Sequence, residues 1–166
     1  MSEDLTRPEA IRKISELIKD IRISMLSTIT PEGTIHSRPM ATQETDFDGT
    51  LLFLTRQGSS KTDEIVHQSQ VTLNYVDSKH YRFVCLSGPA ALSKDRAIIH
   101  ELWNPLYKAW FPEGEDDPQI TVIRVSVDRA EYWEAPANAV MRGYQLLKAA
   151  ATKGSSPVGQ HQAIKL

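Results

Sequence analysis

The stretch Ile23-Ser24-Met25-Leu26-Ser27-Thr28-Ile29, followed by Pro31-Glu32-Gly33 and then by Thr34-Ile35-His36-Ser37-Arg38-Pro39-Met40-Ala41-Thr42, decides the fold. Its first part is β-branched and partly alternating, its middle is turn chemistry, and its last part returns as a partner strand, so the whole reads as a β-hairpin. Pro39 cannot donate to a strand ladder, which places it at an edge, a bulge or a ligand-facing gap.

Upstream, Thr6-Arg7-Pro8-Glu9 reads as a capping box. Ile11, Ile14, Leu17, Ile18 and Ile21 follow at helical spacing, predicting an amphipathic helix over about 7–21. Downstream the β pattern recurs at 51–55, 71–76, 81–87, 120–127 and 130–134. Gly88-Pro89 bends the third stretch before 90–93 continue it. Short helices are predicted at 62–68, capped by Ser59 or Ser60, and at 95–103. A further helix is expected from Asn138 to about Ala151, and an aromatic turn lies over 106–111. Six to seven short antiparallel strands with a few covering helices predict a mainly β fold, a β-barrel with flanking helices. The alternative is an open sheet with helices on one face, and strand spacing does not separate the two. Residues 1–152 are expected to form one domain, and 153–166, which lack periodicity, a flexible C-terminal tail.

With 166 residues, 40% hydrophobic and 24% charged, the chain is long enough for one sizeable core. Lys+Arg 19 against Asp+Glu 21 leaves a net charge of −2, which argues against a general nucleic-acid or membrane-surface binder. The single cysteine, Cys85, sits among apolar residues and is expected to be an inert core thiol; one cysteine and an acidic N-terminus without a signal-peptide pattern make the cytoplasm the expected location. The five histidines show no ligand-spaced pair, so no metal site is expected, and the acidic loop Glu113–Asp117 reads as a solvated turn.

Three segments can carry chemistry. In Thr55-Arg56-Gln57-Gly58-Ser59-Ser60-Lys61 a buried strand ends, a Gly/Ser turn follows and a helix begins with a lysine in its first turn. Unpaired first-turn amides, serine hydroxyls and an ammonium make a phosphate cradle; the plainer reading is a capped helix with a solvated lysine. The longer Walker spacing is missing, so this is no P-loop. His36-Ser37-Arg38-Pro39-Met40 offers a strand edge with a missing donor, open to a planar ligand or simply protected against aggregation. Trp103, Tyr107, Trp110 and Phe111 fall within nine residues in a chain that is 7% aromatic, suiting a ligand wall, an interface or a barrel plug.

Taken in order, Ser37-Arg38-Pro39-Met40, Asp48-Gly49-Thr50-Leu51-Leu52-Phe53-Leu54-Thr55, Ser59-Ser60-Lys61 with Glu64-Ile65, Val71-Thr72-Leu73-Asn74-Tyr75, Ser87-Gly88, Leu102-Trp103-Asn104-Pro105 and Ala109-Trp110-Phe111-Pro112 resemble the pyridoxamine 5′-phosphate oxidase-like FMN-binding split-barrel family, in its bacterial general stress protein branch. Asp116-Asp117-Pro118 and Ala130-Glu131-Tyr132-Trp133 continue the likeness, which runs from about residue 8 to 135. The resemblance implies a six-stranded antiparallel split β-barrel that forms a homodimer with FMN at the interface. It implies that Arg38, Pro39, Met40, Ala41 and Thr42 lie along the flavin ring, with Arg38 the best candidate to stabilise charge on a reduced flavin. Phe53, Leu54 and Thr55 would line the cofactor, Ser59, Ser60 and Lys61 would hold its phosphate, and Trp110 and Phe111 would approach it from the facing subunit.

The chain also departs from the oxidase pattern. Gln43 stands where true oxidases place a substrate-phosphate lysine, Glu134-Ala135-Pro136-Ala137-Asn138 offers no Arg-x-His pair, and the flavin-contacting glutamine is replaced near Phe83. Vitamin B6 oxidase activity is therefore disfavoured. The expected function is an FMN-binding general-stress-type protein, with a flavin-dependent oxidoreductase and a non-catalytic flavin binder or sensor both open. Haem would need His36 as axial ligand, and a deazaflavin would need more basic residues than Arg56 and Lys61, so both are weaker than FMN.

Overall fold

The computed structural model describes residues 5–43, 46–135 and 160–166. The helix α1 (Arg7–Ile18) begins at the capping box, where Glu9 Oε2 accepts from the Thr6 amide at 2.9 Å and its hydroxyl at 2.6 Å. It buries Ala10, Ile14, Leu17 and Ile18, and stops three residues short of the expected end. The hairpin follows as β1 (Ile23–Ile29) and β2 (Ile35–Ala41), in the register Met25↔Pro39 and Ser27↔Ser37. Then come β3 (Thr50–Arg56), α2 (Ser60–His67), β4 (Gln70–Asp77), β5 (Arg82–Ser93), α3 (Arg96–Leu102), a 3₁₀ turn (Pro105–Ala109), β6 (Ile120–Ser126) and β7 (Arg129–Glu134).

All strand pairs are antiparallel, and the main path runs β2-β1-β4-β5-β6-β3. These six strands curl into the expected split barrel, with β7 added on β5. Strand alternation points Leu26, Leu73, Tyr75, Val84 and Leu86 into one core with Phe53 and the apolar face of α1. A smaller cluster, Ile99, Phe111, Ile120 and Val122, forms on the far side of β3 under α3 and the 3₁₀ turn. Two covered faces explain why β3 reads as a continuous apolar run.

Strand β5 serves two partners in succession. Residues 82–87 pair with β7 and residues 90–93 with β6, and the switch falls at Gly88-Pro89. A Cβ built on Gly88 would lie 1.9 Å from the Ser126 carbonyl oxygen, so the two backbones pass at a distance only glycine permits.

Three expectations change. Residues 160–165, assigned to a flexible tail, instead form β8 (Gln160–Lys165), paired along β7 with Trp133 opposite His161. Their mixed polar composition hides a strand whose one buried apolar side chain is Ile164. The acidic loop is solvated at Glu113 and Asp116 but anchored at its end: Asp117 is buried, its Oδ1 accepts from the Gln119 amide at 2.8 Å, and Arg96 of α3 donates to the carbonyls of Asp117 and Glu115. Cys85 is half-buried on the outer face of the sheet, because it shares the parity of the exposed Phe83. The helix expected from Asn138 lies outside the described residues. Among the described residues, no helix is long and apolar enough to cross a membrane.

Gly88→Ala should lower stability by at least about 2 kcal/mol, since the clash is with backbone that has no rotamer to relieve it. Thermal denaturation of the two proteins side by side checks this, and an unchanged melting temperature would contradict the crossing.

Candidate functional site

The two ends of the six-strand path, β2 and β3, do not pair with each other in the sheet. Both line a cleft of about 400 Å3, bounded by Arg38, Pro39, Met40 and Ala41 on one side and by Leu54, Thr55, Arg56 and Lys61 on the other. Ile23 and Gln43 complete the first wall, while Tyr107, Trp110 and Phe111 close the end. The 3₁₀ turn is fastened there from both directions. Tyr107 donates its hydroxyl to Gln43 Oε1 at 3.2 Å, and Arg56 donates to the Trp110 carbonyl at 2.9 Å. Arg56 also lies over the Phe111 ring, 5.8 Å from its centroid. Trp110 remains 63% exposed, a large apolar ring at the cleft that the described chain does not cover.

The turn between β3 and α2 is set by Gly58, whose φ of +70° is a left-handed conformation that favours glycine. It brings Lys61, in the first turn of α2, back beside Thr55, to whose hydroxyl its Nζ donates at 3.2 Å. Burial lowers the Lys61 pKa and the nearby Arg38 charge lowers it further, against a smaller upward pull from Glu64. Among the described residues Lys61 makes no ion pair. Ser59 is the N-cap residue of α2, yet its hydroxyl makes no cap hydrogen bond and is buried without a partner. The helix start is held instead by the Ser59 carbonyl, which accepts from the Thr62 amide at 2.9 Å and the Thr62 hydroxyl at 2.7 Å. An ammonium weakened by burial, next to an idle hydroxyl and free first-turn amides, is the chemistry of an anion site.

Arg38 faces inward from β2 and meets α2. Its Nη2 lies 2.6 Å from Glu64 Oε2, and its Nη1 donates to the Thr28 hydroxyl. Glu64 also accepts from Thr28, and its Oε1 lies 2.9 Å from His36 Nδ1. Burial alone would raise the Glu64 pKa, but the hydrogen bonds from His36, Thr28 and Arg38, with the Arg38 charge, bring it down to about 2.

Nine of the thirteen sequence-predicted residues thus meet at one cleft: Arg38, Pro39, Met40, Ala41, Leu54, Thr55, Lys61, Trp110 and Phe111. Trp110 and Phe111 line the cleft of their own chain, carried there by the 3₁₀ turn that packs on the far side of β3. Phe53 shares the inward parity of Leu51 and is buried in the core; with Thr42 it borders a separate void of about 30 Å3 under α1. Thr42 spends its hydroxyl on the Ile21 carbonyl at 2.6 Å. Ser59 and Ser60 stand at the helix start beside Lys61, off the cleft wall. Ile23, Gln43, Arg56, Tyr107 and the buried Glu64 were not predicted. Tyr107 lay in the aromatic cluster, Arg56 in the Thr55–Lys61 segment, Gln43 at the position where oxidases carry a lysine and Glu64 in the family resemblance, so each carried a signal; Ile23 carried none beyond its strand.

A curled six-stranded antiparallel sheet whose open edges frame a cleft beside a helix start defines the split-barrel class. The comparisons place the chain within it. It belongs to the family described as pyridoxamine 5′-phosphate oxidase like, whose model matches residues 9–157. It is 30% identical over 142 residues to the protein bli-3 of Neurospora crassa, covering 80% of this chain and 68% of that one. Among solved structures it is similar to the general stress FMN/FAD binding protein of Xanthomonas citri, at 28% identity and TM-score 0.65 over 76% of this chain and 89% of that one. It also shares the fold of general stress protein 26 from Bacillus anthracis, at 24% identity and TM-score 0.66 over 74% and 92% of the two chains.

The Glu64 carboxyl is held below its ordinary range, so the stability it contributes is full above the unfolded-state pKa of 4.5 and is lost as pH falls through about 2. Glu64→Gln should be less stable at neutral pH, and should lose less stability than the native chain between pH 5 and 2, a difference of order 3 kcal/mol across the window. Denaturant melts at stepped pH check this; parallel pH profiles for the two proteins would refute it.

Proposed function

We propose that the cleft binds FMN and that two chains associate to complete the site. The observation that carries the first part is the pairing of an apolar and aromatic wall with one half-buried, unpaired ammonium at a helix start. A planar ring system fits between the β2 edge and Leu54, Trp110 and Phe111, and a phosphate answers the cradle at Ser59, Ser60 and Lys61. The orphaned Ser59 hydroxyl is the fit test within the chain itself: a buried donor is costly until something accepts from it. The printed description of the Xanthomonas citri relative, an FMN/FAD binding protein, supports the same reading.

Bound flavin would supply electron and hydride transfer, which no side chain of this cleft supplies. The chain's own part is to position and to exclude water. Among the described residues that line the cleft there is no carboxylate and no imidazole to act as acid or base on a defined substrate. The Arg38 guanidinium, engaged by Glu64 and Thr28, is not free to answer charge developing on a reduced ring. A flavin-dependent oxidoreductase and a non-catalytic flavin binder or sensor are the two forms of this proposal.

The association rests on the outer face of the sheet. Strand register puts Ala41, Ile23, Val76, Phe83, Trp133 and His161 in one line across β2, β1, β4, β5, β7 and β8. Ile23, Val76, Phe83 and Trp133 are all exposed, and the Trp133 ring stacks on His161 with centroids 4.8 Å apart. A row of apolar side chains on a sheet face that runs into the cleft at Ile23 and Ala41 suits a second copy whose surface closes the open side.

The purified protein should take up FMN with the visible absorbance of a bound flavin, and a chain that stays colourless with added FMN would sink the reading. Lys61→Ala should weaken FMN by about 10- to 100-fold while sparing riboflavin, which lacks the phosphate; titration with both ligands decides it, equal losses refuting the phosphate role. Phe83→Asp should convert a dimer into a monomer in light scattering coupled to size exclusion, and a native chain that is already monomeric would refute the association. Anaerobic addition of NADH or NADPH separates the two forms, since bleaching of bound flavin identifies an oxidoreductase.

A further inference from the structure

The proposed cleft holds three basic side chains, and they are not equivalent. Arg56 is committed to the wall, with Nη1 on Gln119 Oε1 and Nη2 on the Trp110 carbonyl, both at 2.9 Å. Among the described residues Lys61 has one hydroxyl partner and no carboxylate. Arg38, 13% exposed, sits between these extremes and is governed by a residue that does not line the cleft at all. Glu64 lies one turn along α2 from Lys61, on the helix face turned to the barrel. Its side chain is 7% exposed, and all three of its partners come from the β1–β2 hairpin: Thr28, His36 and Arg38. A carboxylate this well bonded is fixed in place, and so is the guanidinium it grips.

We propose that Glu64 is the positioning residue of the cleft: it pins the Arg38 guanidinium against β1 and cancels its charge, leaving Lys61 as the cation that reads an anionic ligand. This rests on the reading of the cleft as a phosphate-bearing ligand's site. It makes a different claim, that specificity for the phosphate is set by a carboxylate the ligand does not touch. Without Glu64, two adjacent cations would face the cleft, a cost already visible in the way Arg38 depresses Lys61. With Glu64, any anion of suitable size competes for one ammonium and one helix start, and a neutral ring compound without phosphate gains nothing from either.

The test uses the whole chain and two probes, FMN and riboflavin, titrated across a range of sodium chloride concentrations. In the native chain FMN affinity should fall with salt and riboflavin affinity should not; Lys61→Ala should remove the salt dependence. A Lys61→Ala protein that keeps more than half of it shows that another cation of the cleft, Arg38 or Arg56, already reads the phosphate, and overturns the proposal. Glu64→Gln, which keeps an acceptor but not the charge, should bind FMN about three- to thirtyfold more tightly at low salt and hold riboflavin within about twofold. Loss of both ligands together would mean that Glu64 serves only the shape of the cleft, and would also overturn it. Should Glu64→Gln fail to fold, the Lys61→Ala arm stands alone. The pinning has a readout free of ligand as well: Arg38 should show separate, slowly exchanging Nη–H signals in nitrogen-15 spectra of the empty protein. A single averaged signal would refute the pinning whatever binds. Resolved signals in a chain that ignores FMN would instead refute the cofactor reading and leave the Glu64–Arg38 clamp in place.

Discussion

The passage of β5 across the Ser126 carbonyl is the constraint on which the rest of the structure depends. One strand pairs with β7 in its first half and with β6 in its second, and it can do so only where its backbone comes within reach of another backbone. That single crossing swings β6 and β3 around to the far side of the core, so the sheet curls and its two terminal strands end up facing each other across open space. A flat sheet with the same strands would have left β2 and β3 at opposite margins. The cleft is therefore a by-product of curvature, and its walls are strand edges because edges are what an incompletely closed barrel leaves over.

Electrostatics then distinguishes one end of that cleft from the other. The Gly58 turn returns α2 along the barrel, so Lys61 and Glu64 come to the same place from one short helix, one facing the gap and the other the hairpin. Glu64 is buried but not isolated. Its three donors bring the carboxyl to about 2 in spite of burial, the balance that lets a charge persist inside an apolar shell. Lys61 has no such company, and burial moves it the other way. The buried carboxylate is thus fully engaged within the fold, while the half-buried ammonium keeps only the Thr55 hydroxyl among the described residues.

Much of this was legible in the residues, and what was not has physical reasons. Turn chemistry and alternation located the hairpin, the bend at Gly88-Pro89 and the strands on either side, because each is a local property of a few neighbouring residues. The cluster at 103–111 and the Thr55–Lys61 segment pointed to the cleft for the same reason. The roles of Gln43, Arg56 and Glu64 in the cleft were not legible because their partners, Tyr107, the Trp110 carbonyl and Arg38, are distant in the chain and no periodicity announces them. Phe53 was drawn to the site by its neighbours Leu54 and Thr55, yet parity turns it into the core. Strand β8 went unseen since its pattern shows one buried apolar residue, Ile164, and its place is set by pairing with β7.

The geometry of Ile23 and Ala41 has a thermodynamic corollary. Both belong to the wall of the cleft and to the end of the apolar row on the sheet's outer face. Whatever covers that row must also alter the surroundings of anything in the cleft, and linkage makes the influence mutual: occupancy on one side shifts affinity on the other by the same factor. Were the proposed assembly and ligand both present, no separate signalling element would be needed between them, because Ile23 and Ala41 on adjacent strands belong to both surfaces.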